Sequence, residues 1–348
     1  MIKFRTARWA KGALLALPVL LAVGCGGGVP AEDGASADRV TVTNCDQEVD
    51  FPAPAQRLFV NDGNLIALTL AVGAEDQIAA VSSLQRDANI LQRKYGDVVK
   101  ELNDVAPEYP TMESVLAAKP DVMVAGWSYG FTESRNLTPE TLAEHDIDSY
   151  ILSESCRRED GARGTMDPWE AVTTDLTNLG AITGHDDTAD EVVADTERRL
   201  AALREAPQGK KKPVVFVFDS GTDAILSSGA YGGPHAIIEA GGGVNALADV
   251  EDTWTQVTWE KFAKSSPDMI VFVDYGEQSF EDKQKVLATH PASKNLPAVT
   301  EQRYLNLPYA MWTSGPLNID AAEHLRQGLE KFDLVPVSDI TPELDLGE

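Results

Sequence analysis

Three cysteines, five histidines and 29 basic side chains in 348 residues are the scarcities that bound this chain. So few cysteines exclude a disulfide-dense scaffold. His145, His185, His235, His290 and His324 are scattered, and none sits plainly at a strand end. A zinc or manganese ion needs converging nitrogens, so direct binding of a bare metal is unsupported. Basic residues are outnumbered by 55 acidic ones, and the formal charge of −26 argues against nucleic acid or anionic lipid as a partner. No segment after residue 25 approaches the ~20 apolar residues of a membrane-spanning helix. No nucleotide-type glycine loop is present, and residues 241–243 (Gly-Gly-Gly) read as a helix stop.

What is present begins at the first residues. Lys3, Arg5, Arg8 and Lys11 precede a short apolar run over 13–23, which is the pattern of a signal peptide, not of a mature span. Ala22-Val23-Gly24-Cys25 resembles a lipobox, so residues 1–24 are expected to be removed and Cys25 to carry the lipid that anchors the protein to the membrane. The mature chain then has 25 Lys and Arg against 55 Asp and Glu, a net charge of −30. Residues 25–38, rich in Gly, Ala, Asp and Ser, read as a flexible tether. Cys45 and Cys156 remain, and in an exported protein they most simply form one disulfide, two free thiols being the alternative. A loop of that length is stabilised by roughly 4–5 kcal/mol on the chain-entropy model.

From residue 40 short β-branched runs alternate with helical stretches, the signature of α/β architecture. Strands are expected at 57–60, 78–81, 122–125 and 149–152, then at 214–218, 224–226, 269–273 and 304–307. Helices are expected at 65–72 and 112–118, then at 234–240, 259–264, 280–289 and 319–332. Between the two series Ala189, Val192, Val193, Thr196, Leu200 and Leu203 recur in steps of three and four, which predicts one amphipathic helix over 186–205. At 1.5 Å per residue it spans roughly 30 Å, about the width of a lobe. The reading is therefore an N-terminal α/β lobe at 39–185, a connecting helix at 186–206, a C-terminal α/β lobe at 207–335 and a tail at 336–348. A stiff helical connection allows the lobes only slight movement around a ligand.

Two segments repeat one logic. The first is Thr111-Met112-Glu113-Ser114-Val115-Leu116-Ala117-Ala118-Lys119-Pro120-Asp121-Val122. The second is Gln256-Val257-Thr258-Trp259-Glu260-Lys261-Phe262, continued by Ser266-Pro267-Asp268-Met269-Ile270-Val271. A third stretch joins Ser228-Gly229 to Ile237-Ile238-Glu239-Ala240-Gly241-Gly242-Gly243-Val244-Asn245. Together they resemble the substrate-binding proteins of bacterial iron-siderophore and cobalamin ABC importers, the helical-backbone class. That resemblance implies the class III periplasmic-binding-protein fold, two Rossmann-like lobes joined by a single long rigid helix. It also implies a monomeric, extracytoplasmic binding protein with no catalytic activity and no resident cofactor. Its partner is a permease with its ATPase, and its cargo a ferric siderophore or similar iron complex. By motif position, Glu113 and Glu260 are the acids that dock on permease arginines.

In such a fold the ligand cleft is lined by loops after the strands. Trp127, Tyr129, Tyr231, Tyr275, Tyr309 and Trp312 stand at predicted strand ends, several beside glycine, and with Trp254 form the candidate aromatic lining. Flat rings with polar tips suit a large amphipathic ligand. Arg86, Arg157, Arg158 and Arg163 suit ligand carboxylates or phosphate, or serve as surface charges. Haem through a tyrosine axial ligand, cobalamin or an anionic deazaflavin-coenzyme precursor are the alternative cargoes. Asp219-Ser220-Gly221-Thr222 has the form of an aspartic-protease tetrapeptide, but that chemistry takes two carboxylates sharing a proton, and no second copy follows. An extracytoplasmic hydrolase acting through Asp219 is the enzymatic alternative.

Overall fold

Buried parallel strands need apolar side chains on both faces, and the apolar runs of this chain form them. The computed structural model describes residues 38–276 and 278–347; Cys25, the leader and most of the tether lie outside the described residues. In the first sheet the spatial order is Asp104–Ala106, Ile78–Ser82, Leu58–Asn61, Val122–Trp127 and Gly130–Phe131, with Asp148–Ile151 also paired to Val122–Trp127. All these pairings are parallel, and Phe59 lies between Ala80 and Met123. The second sheet orders Val244–Asn245, Val214–Phe218, Met269–Asp274 and Tyr304–Pro308, again parallel throughout.

Several elements differ from expectation. The segment Ile225–Ser228 does not join the second sheet but pairs antiparallel with Trp254–Val257. A second departure is the helix Pro168–Thr183, which the hydrophobic pattern of 186–205 overshadowed. Its end signals are in the sequence: Asp167 caps it by accepting from Trp169 N, Pro168 opens it, and Gly184 ends it in a left-handed conformation.

The helix Asp186–Glu205 is continuous and buries Ala189, Thr196, Arg199, Leu200 and Leu203. It packs on Pro168–Thr183 from the first lobe and on Gly233–Gly241 and Asn318–Lys331 from the second. The architecture is therefore two α/β lobes joined by one long helix. Residues 336–347 run back over the helix Asn318–Lys331: Leu344 O meets His324 Nε2 at 2.8 Å, and Glu343 N donates to Glu323 at 3.0 Å.

An antiparallel hairpin, Arg39–Asn44 with Gln47–Pro52, precedes the first lobe. Its two-residue turn, Cys45-Asp46, holds both residues at positive φ, the twist that suits a tight hairpin. Cys45 is bonded to Cys156, 111 residues away. The disulfide thus pins the hairpin to the start of a loop, 156–164, that reaches across to the second lobe. There Arg158 donates to Glu251 O, and Arg163 donates to Trp254 O at 2.8 Å.

Candidate ligand-binding site

The carboxyl ends of both sheets open toward one cleft, the place where α/β folds gather ligand-binding loops. Its inner part is a pocket of about 220 Å³ lined by Tyr109, Ser128, Tyr129 and Arg163 from the first lobe, and by Asp219, Leu226, Trp254, Tyr275 and Tyr309 from the second. An outer pocket of about 580 Å³ is lined by Gln85, Arg86, Pro107, Glu108, Tyr109, Tyr275 and Gly276. Tyr109 and Tyr275 border both, so the two spaces meet at these rings.

Arg86 sits at the junction. Its guanidinium lies 4.8 Å from the Tyr309 ring centre, 5.0 Å from Tyr275 and 5.8 Å from Tyr109, and Tyr275 and Tyr309 pack 4.7 Å apart. Arg135 covers Tyr109 at 4.8 Å. Asp62 holds Arg86 at 2.9 Å, with Asp87 at 3.9 Å. Burial works against the Arg86 charge, but these carboxylates outweigh it and its pKa rises. Burial also raises Asp62, against the pull of Arg86. Asp87 is pushed up to about 7 by burial and by the charge of Asp62.

These carboxyls also join the lobes. Asp87 accepts from Ala310 N at 2.9 Å and Asp62 from Tyr309 Oη at 3.4 Å. On the other side of the cleft Glu154, also buried, accepts from Tyr129 Oη at 3.3 Å and from Gly233 N of the second lobe at 3.2 Å. Burial pushes its carboxyl up to about 7. A carboxyl raised in the folded state binds more protons there than in the unfolded chain. Its stabilisation is therefore complete below its unfolded pKa and is lost as pH rises through about 7. Thermal melts should accordingly show a higher Tm at pH 5 than at pH 8, and Glu154→Gln should flatten that slope. An unchanged slope in the variant would show that Glu154 does not titrate in this way.

The sequence-predicted residues divide. Arg86, Tyr129, Trp254, Tyr275 and Tyr309 line the pockets, and so does Arg163. Trp312 does not. It is fully buried, and its indole N–H donates to Phe272 O at 3.0 Å. The single turn Tyr309–Trp312 presents Tyr309 to the cleft and rotates Trp312 into the core beneath. Trp127 also stays outside both pockets, packed on Phe131 at 6.0 Å and covered by Arg157 at 3.7 Å. Tyr231 is likewise outside them, under Arg158 at 5.2 Å. The sequence reading passed over Tyr109, Ser128, Leu226 and the buried acids Asp62, Asp87 and Glu154. For Tyr109 the available signal was its place just after the strand Asp104–Ala106.

Glu113 and Glu260 occupy matching positions. Each is exposed in the first turn of a short helix, Met112–Ala118 or Trp259–Ser265. Thr111 and Thr258 cap these helices by accepting from Ser114 N and Lys261 N, both at 3.2 Å. The aspartate ending each motif has a structural task. Asp121 accepts from Arg57 N at 3.0 Å and Asp268 from Val214 N at 2.8 Å, which fixes the entry to the first strand of each sheet. The glutamates complement the dipoles of these short helices from the first turn, and neither takes part in a salt bridge among the described residues.

Residues 62–309 match the model of a protein family described as periplasmic binding protein. The chain belongs to the periplasmic binding protein family. A vitamin B12-binding protein of Yersinia pseudotuberculosis is 24% identical over 220 residues, 62% of this chain and 69% of that protein. An ABC-type Fe3+-hydroxamate transport system structure from Saccharomonospora viridis superposes with a TM-score of 0.69 at 21% identity, covering 83% of this chain and 98% of that one. A periplasmic haem-binding protein from Pseudomonas aeruginosa gives 0.61 at 19% identity, covering 82% and 96%. This periplasmic binding protein is therefore a substrate-binding transport component and not an enzyme, which removes the hydrolase reading of Asp219. Membership also implies an extracytoplasmic location and delivery of ligand to an ABC permease. Among the described residues no His, Cys, Asp or Glu group of three is placed to hold a metal ion, and no helix is long and apolar enough to cross a membrane.

Proposed function

We propose that this protein is the lipid-anchored binding component of an ABC importer, capturing a ferric siderophore and delivering it to the permease. Cys25 carries the lipid, Glu113 and Glu260 dock on the permease, and the cargo lies against Arg86, Tyr109, Tyr129, Trp254, Tyr275 and Tyr309. The observation that supports this most is the junction of two pockets at Tyr109 and Tyr275 around Arg86. An inner space of about 220 Å³ alone is below the ~300–1,000 Å³ of ordinary ligand sites, whereas the outer one falls within that range. A bulky chelate with projecting arms suits the pair.

Haem is the less favoured cargo on chemical grounds. Neither pocket is lined by histidine or methionine. Burial holds the hydroxyls of Tyr129 and Tyr309 well above their usual pKa and pushes Tyr109 up to about 12, which opposes a haem-ligating tyrosinate at those three rings. Trp254, half-buried in the inner pocket, is the reporter for the test. A ferric trihydroxamate should quench its fluorescence saturably, with the amplitude reduced in Trp254→Phe. Saturable binding of haemin with a tyrosinate spectrum, and no response to ferric chelates, would replace this reading with haem.

A further inference from the structure

The inner pocket contains one carboxyl group, and the siderophore reading gives it no task. Asp219 follows the strand Val214–Phe218, borders the pocket and is 2% exposed. One of its oxygens, Oδ1, accepts from the neighbouring Ser220 Oγ at 2.7 Å. Neither oxygen forms a salt bridge among the described residues. Arg163, which lines the same pocket, donates to Trp254 O at 2.8 Å. Lys283 donates to the carbonyls of Val273 and Tyr275 and reaches Asp219 only through its field. Burial raises the Asp219 carboxyl, a measure of how poorly its surroundings solvate the anion.

Three of the other lining residues are Trp254, Tyr275 and Tyr309. A carboxylate set in an aromatic-walled cavity is complementary to an ammonium group. The charge pairs with the carboxylate through charge-assisted hydrogen bonds, and the adjoining methylenes and residual charge lie against ring faces. Arg163 lines the same pocket and repels a cation, which confines an ammonium to the Asp219 wall. Resting on the siderophore reading, we propose that Asp219 with Trp254, Tyr275 and Tyr309 forms an ammonium subsite, so that the cargo is an iron chelate with a pendant primary amine.

The test compares a linear ferric trihydroxamate ending in a primary amine with its N-acetyl counterpart, by calorimetric titration of the wild type and of Asp219→Asn. Wild type should prefer the free amine by roughly 10- to 100-fold, the range of a hydrogen bond to a charged group. Asp219→Asn should reduce that ratio to about one, with circular dichroism confirming the fold. Equal affinities in the wild type, or a preference that survives in Asp219→Asn, would overturn the subsite while leaving the siderophore reading standing. If neither chelate binds, the siderophore reading fails, and hexylammonium against hexanol decides the subsite. Binding of hexylammonium alone, lost in Asp219→Asn, sustains it; equal behaviour of the two probes overturns it.

Discussion

Replacing Glu113 and Glu260 together by alanine will stop uptake while cargo affinity in solution stays within about twofold of wild type. The expectation follows from what each side chain does not do. The caps of both helices are made by threonine, and the strand entries by Asp121 and Asp268, so removing either glutamate leaves its motif intact. Charges placed on separate lobes act as a bivalent contact, and loss of both ends of such a contact costs on the order of 10²-fold in effective affinity. Single variants should retain part of the uptake, and uptake by the wild type should weaken as ionic strength rises, because exposed charges are screened within about 10 Å at 0.1 M salt. Transport of a radiolabelled ferric chelate into cells carrying each variant provides the measurement. Normal uptake by the double variant would remove the docking role, and a parallel loss of affinity would place these residues in ligand binding instead.

Arg199→Ala should destabilise the folded protein by about 3–5 kcal/mol, the range for breaking a buried ion pair from one side. Arg199 is 4% exposed on the connecting helix. Its Nη2 lies 2.6 Å from both Asp320 Oδ1 and Glu323 Oε2, and its Nε lies 2.9 Å from Glu323 Oε1. Lys94, from the first lobe, reaches Asp320 at 2.9 Å. One network therefore ties the connecting helix, the helix Asn318–Lys331, the first lobe and the C-terminal tail. Deleting the guanidinium leaves Glu323 without a cation in a buried site, and Asp320 with only Lys94. Arg199→Lys keeps the charge without the planar pair of donors and should lose less. Urea denaturation measures both; a loss under 1 kcal/mol for Arg199→Ala would mean that the network is relaxed by water and does not brace the lobes.

The fold was legible where burial dictates composition. Val214-Val215-Phe216-Val217-Phe218 and Met269-Ile270-Val271-Phe272-Val273 are sandwiched between helices, so every position is apolar and the run stands out in the sequence. The hairpin Arg39–Pro52 was not read, because its exposed faces carry Arg, Thr, Gln and Asp and its turn is Cys-Asp in place of the usual Asn-Gly. The site was legible only in part. Aromatic residues near strand ends include the pocket-lining Tyr129, Tyr275 and Tyr309, but the turns that follow the strands send neighbouring rings elsewhere. Ser128 at positive φ breaks the strand between Trp127 and Tyr129, leaving Trp127 packed on Phe131, and the helical turn Tyr309–Trp312 carries Trp312 into the core. The buried acids Asp62, Asp87 and Glu154 could not be told from surface carboxylates in a chain with 55 of them.

The most direct test of the binding account is the position of iron in crystals grown with a ferric trihydroxamate, read from anomalous scattering at the iron edge. The account predicts one strong peak in the cleft beside Tyr109, Tyr275 and Arg86, coordinated by chelate oxygens alone. A peak bonded to a tyrosine oxygen, or lying outside the two pockets, would contradict it.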